Sequence, residues 1–404
     1  MSLWSTLRSV LRFRRFEWDP DLRRLSRCAN VEDLRAVAKR RLPRGCFDYI
    51  DGAAEDERTA RDNCAGFERL AFRPRVLRDV SKIECGTTLL GRPVPMPLVL
   101  APTGFGRIAH SQGELAVARA ADRAGVPYTL STLSTCSIEE VAGVSAGAKW
   151  FQVYTWRDRG LVKEMVERAR SAGYEALVLT VDTAVFGRRE RDVRSGFTLP
   201  PKLGLDTLLD GALHPGWTWD FLRAEPIVFS NVVGRDVGDG SSAVELAAYI
   251  DSQFDPALSW ADVAWLQSIW DGPIVLKGIQ SVEDAELAAD AGVAAIALSN
   301  HGGRQLDGAP AAIDLVAPVA DRVGDRVEVL CDGGVRRGSD VVKAVALGAR
   351  ACMIGRPYLY GLAAGGEAGV DRVLEWFDEG IRRTLALVGC PDLADLSRET
   401  IERR

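Results

Sequence analysis

A barrel of eight parallel strands wrapped in helices is the fold this sequence predicts, and three features predict it. Short apolar runs recur eight times from Pro97 onward. Within each run apolar residues follow one another without alternation, as in strands buried on both faces. Between runs lie helical patterns stopped by glycine, such as GELAVARAADRAG and VEDAELAADAG. Eight strand–helix units is the number that closes an α/β barrel. The competing open, doubly wound sheet normally places G-x-G-x-x-G after its first strand, and that pattern is missing there.

In chain order the runs are PLVLAPTG (97–104), VPYTLST (126–132), KWFQVYT (149–155), ALVLTVD (176–182), PIVLKG (273–278), AAIALSNHGG (294–303), VEVLCDGG (327–334) and ACMIGRP (351–357). The prediction is thus a (β/α)8 TIM barrel with an N-terminal helical cap and a long insertion after strand four. Residues 28–90 read as helices over VEDLRAVAKRRL and CFDYIDGAAEDERTARDN, then short strands around ECGTTLLGRPV, together capping the barrel. Residues 197–260 are the insertion; connections of that length are usually functional or disordered. Residues 1–27 hold seven arginines against Glu17, Asp19 and Asp21, with Trp4, Leu7, Leu11, Phe13 and Phe16 between them. This segment reads as a solvated arm packing on the body or another subunit, with a membrane surface as the sharper alternative. The organisation is a basic arm, 1–27, and one barrel domain, 28–404.

With 26% charged residues, 47% hydrophobic residues and a net charge of −5, the chain has an ordinary globular balance and gives no reason to expect nucleic-acid binding. Its eight cysteines form no C-x-x-C pair and read as buried reduced thiols, so neither disulfides nor a metal site is expected. No secretory signal and no run of 18 apolar residues is present, and the expected location is cytoplasmic.

Active sites of such barrels lie at the carboxyl ends of the strands. The ends carry Thr103, Ser131, Gln152 with Tyr154, Thr180 with Asp182, Lys277, Ser299 with His301, Asp332, and Gly355 with Arg356. A merely stable barrel does not need so many polar groups at one mouth. The turns after strands seven and eight, CDGGVRRG and IGRP, suit a phosphate: glycines allow close backbone approach, and Arg336 or Arg356 adds charge. A buried Lys277 can form a Schiff base, pair with a carboxylate or stabilise an anionic ring, and the residues alone do not choose. Of three histidines only His301 is at a strand end; His110 and His214 read as structural. Asp182 can hold its imidazolium, and Arg304 can clamp a carboxylate.

The segments SNHGGRQLDG, DGGVRRGSDVVKAVALGARACMIGRP, FQVYTWRDR and FDYIDGAAEDE resemble the FMN-dependent 2-hydroxy-acid oxidising enzymes, among them glycolate oxidase, L-lactate dehydrogenase and mandelate dehydrogenase. The resemblance spans roughly residues 30 to 400 and is nearest to bacterial L-lactate dehydrogenase and mandelate dehydrogenase. It implies an FMN-binding barrel that oxidises an (S)-2-hydroxy acid, lactate or mandelate-like, to the 2-oxo acid. It further implies that His301 is the base taking the hydroxyl proton, Asp182 its partner, and Tyr154 a contact to the hydroxyl. Arg304, Tyr49 and Arg189 bind the carboxylate. Lys277 stands by the flavin ring; Pro102, Thr103, Gly104, Ser131, Gln152, Thr180 and Ser299 line the ring and ribityl chain. Asp332, Gly333, Gly334, Val335, Arg336, Gly355 and Arg356 hold ribityl and phosphate. The glycines after His301 are read as letting the backbone pass close to the ligands.

Gly104 stands where the oxidases carry Ala, which favours a dehydrogenase passing electrons to a quinone or another carrier over an oxidase releasing hydrogen peroxide. Leu133 replaces the Trp of glycolate oxidase and argues against glycolate. The segment LLDGALHPGWTWDFLRAEP resembles the membrane-contacting region of the dehydrogenases, so peripheral contact with the inner face of the cell membrane is expected. A homotetramer is implied by resemblance alone. The alternatives of other classes are a catalytically silent FMN-binding protein and a Lys277 Schiff-base aldolase.

Overall fold

The structure is a computed structural model that describes residues 17–196, 205–225, 227–232 and 252–404. Most of the basic arm, with Trp4, Leu7, Leu11, Phe13 and Phe16, lies outside the described residues, as do parts of the insertion.

Eight strands close a parallel barrel: β1 Leu98–Leu100, β2 Tyr128–Leu130, β3 Lys149–Val153, β4 Ala176–Thr180, β5 Ile274–Ile279, β6 Ala295–Leu298, β7 Glu328–Asp332 and β8 Ala351–Ile354. Seven fall within their predicted runs and β5 extends one residue past its own, to Ile279; neighbours in sequence are neighbours around the ring. The interior is filled by unequal side chains. Trp150 stands in register with Ala176, and Met353 shares the space with Ala295, Ala297 and Ala351. Small residues on one strand make room for large ones on the next, the pattern that dense interior packing requires.

The pre-barrel region departs from prediction in two ways. The single helix expected over CFDYIDGAAEDERTARDN is two, Arg44–Asp51 and Arg58–Glu68. The chain turns extended at Gly52, and Glu55 and Glu57 take left-handed conformations, φ 47° and 59°. The predicted strands form a hairpin, Thr87–Leu89 with Arg92–Val94, but it does not join the helices over the mouth. Its Leu89 and Val94 belong to the barrel's inner core, and Leu90 N–H donates to the Glu328 carboxylate at the start of β7. The hairpin therefore plugs the amino end of the barrel, while Tyr49 and its helix stand at the carboxyl end.

The insertion contains helices Leu205–Leu213 and Pro215–Arg223. They dock through polar contacts: Asp210 accepts from Arg44 N–H at 2.6 Å, and Asp220 accepts from the Ser111 hydroxyl at 2.6 Å. Of the aromatic cluster read as interfacial, Trp217 turns inward and donates to the Ile108 carbonyl at 2.8 Å, whereas Trp219 and Leu222 are exposed. Residues 227–232 return inside, where Phe229 and Asn231 are buried. No helix among the described residues is long and apolar enough to cross a membrane.

Candidate active site

A cavity of about 680 Å³ opens at the carboxyl end of the barrel. Its wall includes Tyr49, Pro102, Thr103, Gly104, Ser131, Gln152, Tyr154, Thr180, Arg189, Lys277, His301, Arg304, Asp332, Gly333, Gly334, Val335, Arg336, Gly355 and Arg356. The barrel thus gathers the predicted residues in one place. Two stand just behind the wall: Asp182 touches His301, and Ser299 sits between Lys277 and Asp332 instead of on the cavity surface.

The base is built by two backbone irregularities. His301 has φ 56°, unusual for a non-glycine residue and costly unless its surroundings impose it. Its N–H donates to Ser299 Oγ at 3.1 Å. Strand β5 slips register between Lys277 and Ile279, with Gly278 at φ 115°. A Cβ on Gly278 would lie 2.8 Å from the Asp182 Cβ, so this bulge is what lets Asp182 nest against β5. Asp182 Oδ1 then meets His301 Nδ1 at 2.9 Å. An ionised Asp182 can only accept, so Nδ1 carries the proton and Nε2 is the basic nitrogen on the cavity side. Burial would raise the Asp182 pKa, but His301 and then Lys277 outweigh it and hold the carboxyl below its ordinary value.

The glycines after His301 also serve packing, and Gly302 lines the cavity. A Cβ on Gly302 would lie 2.6 Å from Arg356 Nη1, and one on Gly303 would lie 2.6 Å from the Ala60 nitrogen. The loop is further pinned by an amide pair unseen in the sequence: Asn63 and Asn300 exchange two hydrogen bonds of 2.8 Å, and Asn300 Oδ1 accepts from Gly303 N–H. Gly334 has a matching role, since its Cβ would lie 2.0 Å from the Asn63 carbonyl.

Arg304 is half-buried and its Nη1 donates to the carbonyls of Tyr49 and Gly52 at 2.6 and 3.0 Å. Burial, then neighbouring Arg189, pushes its pKa down, the mark of a cation short of negative charge. Two guanidiniums approach the Tyr49 ring, Arg304 at 5.0 Å and Arg189 at 5.5 Å from its centre. Such a group of cations suits a small carboxylate. Asp192, which lines the cavity and lies 3.5 Å from Arg189, was missed in the sequence. So were Phe229 and Phe254; Phe254 packs on Tyr154 at 5.0 Å and Phe186 at 4.3 Å. Both lie in the insertion, where no local pattern points inward.

The deeper half suits a polar ring and an anionic tail. Gln152 spends its carbonyl on Ser131 Oγ and Thr132 N–H, both at 3.1 Å, and its buried Nε2 has no partner among the described residues. A buried amide donor left unpaired is costly, so this one points to a ligand acceptor. Lys277 Nζ pairs with Asp332 Oδ2 at 2.8 Å, and Asp332 and Asp182 more than offset burial in raising its pKa. A lysine held charged does not favour the Schiff-base reading. Gly333, Gly334 and Arg336 continue the wall to the ends of β7 and β8. Arg356 lines the cavity beside them, and its guanidinium is oriented by donating to the carbonyls of Ile50, Gly52 and Gly302.

A base facing a carboxylate clamp, beside a slot for a large polar cofactor, defines a class: barrel oxidoreductases that work on a small organic acid. Residues 38–403 match the family model described as FMN-dependent dehydrogenase, and the chain belongs to that family. FMN is therefore its cofactor, and the unpaired Gln152 amide, Lys277 and the Gly333–Arg336 wall fit it. The chain is similar to the putative L-lactate dehydrogenase of Mycobacterium tuberculosis, 47% identical over 97% of this chain and 93% of that protein. It is similar to glycolate oxidase 1 of Oryza sativa, 45% identical over 92% and 95%. Among solved structures it resembles the monotopic membrane protein (S)-mandelate dehydrogenase, with a TM-score of 0.90, 42% identity, and 94% and 100% of the two chains covered.

Proposed function

We propose that the chain oxidises an (S)-2-hydroxy acid of the lactate or mandelate type to its 2-oxo acid. The observation that carries this is the His301–Asp182 pair facing the same cavity as the Arg304–Tyr49–Arg189 group. FMN, when bound, supplies the two-electron acceptor for the hydrogen on the substrate's C2. Arg304 and Arg189 hold the carboxylate, with Tyr49 beside both. Tyr154, with its hydroxyl kept protonated by burial and by Asp182, donates to the substrate oxygen. His301 Nε2 removes the hydroxyl proton, and Asp182 steadies the imidazolium that forms. Lys277 puts fixed positive charge beside the cofactor slot. Leu133, Phe105, Phe186 and Phe229 make the remaining wall apolar and favour a substrate with a hydrocarbon side chain over glycolate.

Electrons then pass to a quinone or another carrier. Exposed Leu209, Leu213, Trp219 and Leu222 on the insertion helices support contact with the membrane's inner face. The test is anaerobic mixing of the yellow holoprotein with a panel of 2-hydroxy acids. Bleaching by (S)-lactate or (S)-mandelate is expected; a flavin that stays yellow with all of them refutes the proposal. Admitting air afterwards separates dehydrogenase from oxidase, since rapid return of colour marks an oxidase.

A further inference from the structure

Tyr49 and Arg189 sit on different elements. Tyr49 is on the last turn of helix Arg44–Asp51, and Arg189 immediately precedes helix Glu190–Ser195. Arg189 faces the Tyr49 ring, and its contact with Asp192 is long at 3.5 Å, so neither fixes it firmly.

Two residues beyond each, outside the cavity wall, stand Asp51 and Arg191. The Asp51 carboxylate is 3% exposed. It accepts from Arg191 Nη1 at 2.7 Å, from Arg35 Nη2 at 3.0 Å and from the Tyr360 hydroxyl at 2.6 Å. Arg191 also places Nε 2.6 Å from Glu57 Oε1 and bonds the second Glu57 oxygen through Nη2. Glu57 Oε1 in turn accepts from Ala53 N–H at 3.0 Å. The loop so braced, 52–57, contains the two left-handed glutamates and also supplies the Gly52 carbonyl that Arg304 and Arg356 share. Arg191 thus ties together, from behind, the elements that carry Tyr49, Arg304's backbone partner and Arg189. One backbone bond, Glu55 N–H to the Arg188 carbonyl at 2.9 Å, runs parallel to it.

Apolar side chains would join two helices without the desolvation that a buried carboxylate costs. What forked, charge-assisted bonds add is a defined distance and direction. We propose that Asp51 and Arg191 form a latch that sets the spacing of Tyr49 and Arg189 and so governs how tightly the substrate carboxylate is held. Both are positioning residues. The inference rests on the carboxylate clamp proposed above and deepens it.

The test uses the full-length FMN-loaded protein. Pyruvate or phenylglyoxylate, which keep the carboxylate but have no C2 hydrogen to lose, is titrated in and the flavin spectrum followed. Arg191→Met removes the latch while Arg35 and the Tyr360 hydroxyl still donate to Asp51, so that carboxylate keeps partners in the variant. The expected result is about tenfold weaker 2-oxo-acid binding and a matching rise in KM, with kcat within about twofold, the scale of one charge-assisted bond. Arg191→Lys, which reaches one carboxylate at a time, restores part of the affinity, and Asp51→Asn weakens binding from the other side. Arg189→Met, run in parallel, reports on the clamp itself. Weak binding in Arg189→Met with parental affinity in Arg191→Met and Asp51→Asn overturns the latch and leaves the clamp standing. Parental affinity in Arg189→Met as well overturns both. A lowered melting temperature with unchanged affinity marks the pair as structural and also overturns the proposal.

Discussion

His301 concentrates the chemistry, and its substitution gives the clearest readings. His301→Gln is expected to keep FMN and lose roughly 10³-fold in the rate of flavin reduction, the range for a general base; a parental rate in stopped-flow would remove His301 from that role. The same variant has a signed pH dependence. The folded-state pKa of Asp182 lies below its ordinary value, so its ionisation stabilises the fold above the ordinary carboxylate range, near pH ~4, and that contribution is lost as pH falls through the folded value. Without His301 the largest opposing charge is gone, and burial pushes Asp182 upward. The variant should therefore fall further behind the parent in melting temperature as pH rises from about 4 to 8. A gap independent of pH would show that the two groups are not coupled. Arg304→Lys should raise KM by one to two orders of magnitude, because an ammonium cannot span two carbonyls and a carboxylate as the planar fork does; an unchanged KM in steady-state assays would remove Arg304 from the clamp. These residues were legible in the sequence because each stands at or just past the end of an apolar run. The Asn63–Asn300 pair was not: it joins residues 237 apart, and neither amide is distinguished locally.

At the scale of elements, the eight strands could be read because burial on both faces leaves its mark in each run separately. The cap could not be divided correctly, because its boundaries follow from distant partners. Gly52 ends a helix whose last carbonyls are met by Arg304 and Arg356, some 250 to 300 residues later. The bulge in β5 was equally hidden, since a glycine after Lys277 also suits an ordinary strand end. It yields a strong element-scale prediction. Gly278→Ala adds a methyl at φ 115°, 2.8 Å from the Asp182 Cβ, without removing any reacting group. Strain of this kind costs roughly 2 kcal/mol. The expected outcome is a clear fall in melting temperature and a fall in flavin-reduction rate of at least about tenfold, with FMN retained, because even a small misplacement of the dyad is expensive. A stable, fully active Gly278→Ala protein would show that the bulge does not position Asp182.

For the whole molecule, the arrangement of surfaces bears on where the electrons go. The insertion's two helices are fixed to the body by Asp210, Trp217 and Asp220, and Asp220 grips Ser111, just beyond the Gly104–Phe105 edge of the cavity. Their free sides show Leu209, Leu213, Trp219 and Leu222, from 60% to 78% exposed. Exposed apolar groups on short, firmly anchored helices are what an interfacial contact requires, and contact there would bring the cavity and a lipid-soluble acceptor to the same boundary. The combined variant Trp219→Glu with Leu222→Glu alters only this outer face. It should bind anionic vesicles at least about tenfold more weakly, since two exposed apolar side chains that would enter the lipid are replaced by charges repelled by the surface. Its turnover with a water-soluble dye acceptor should match the parent, because no cavity residue has changed, while turnover with a quinone dissolved in the vesicles should fall in step with binding. Equal quinone turnover by both proteins, measured at the same vesicle concentration, would mean that the acceptor reaches the flavin from water and that the exposed face has another purpose.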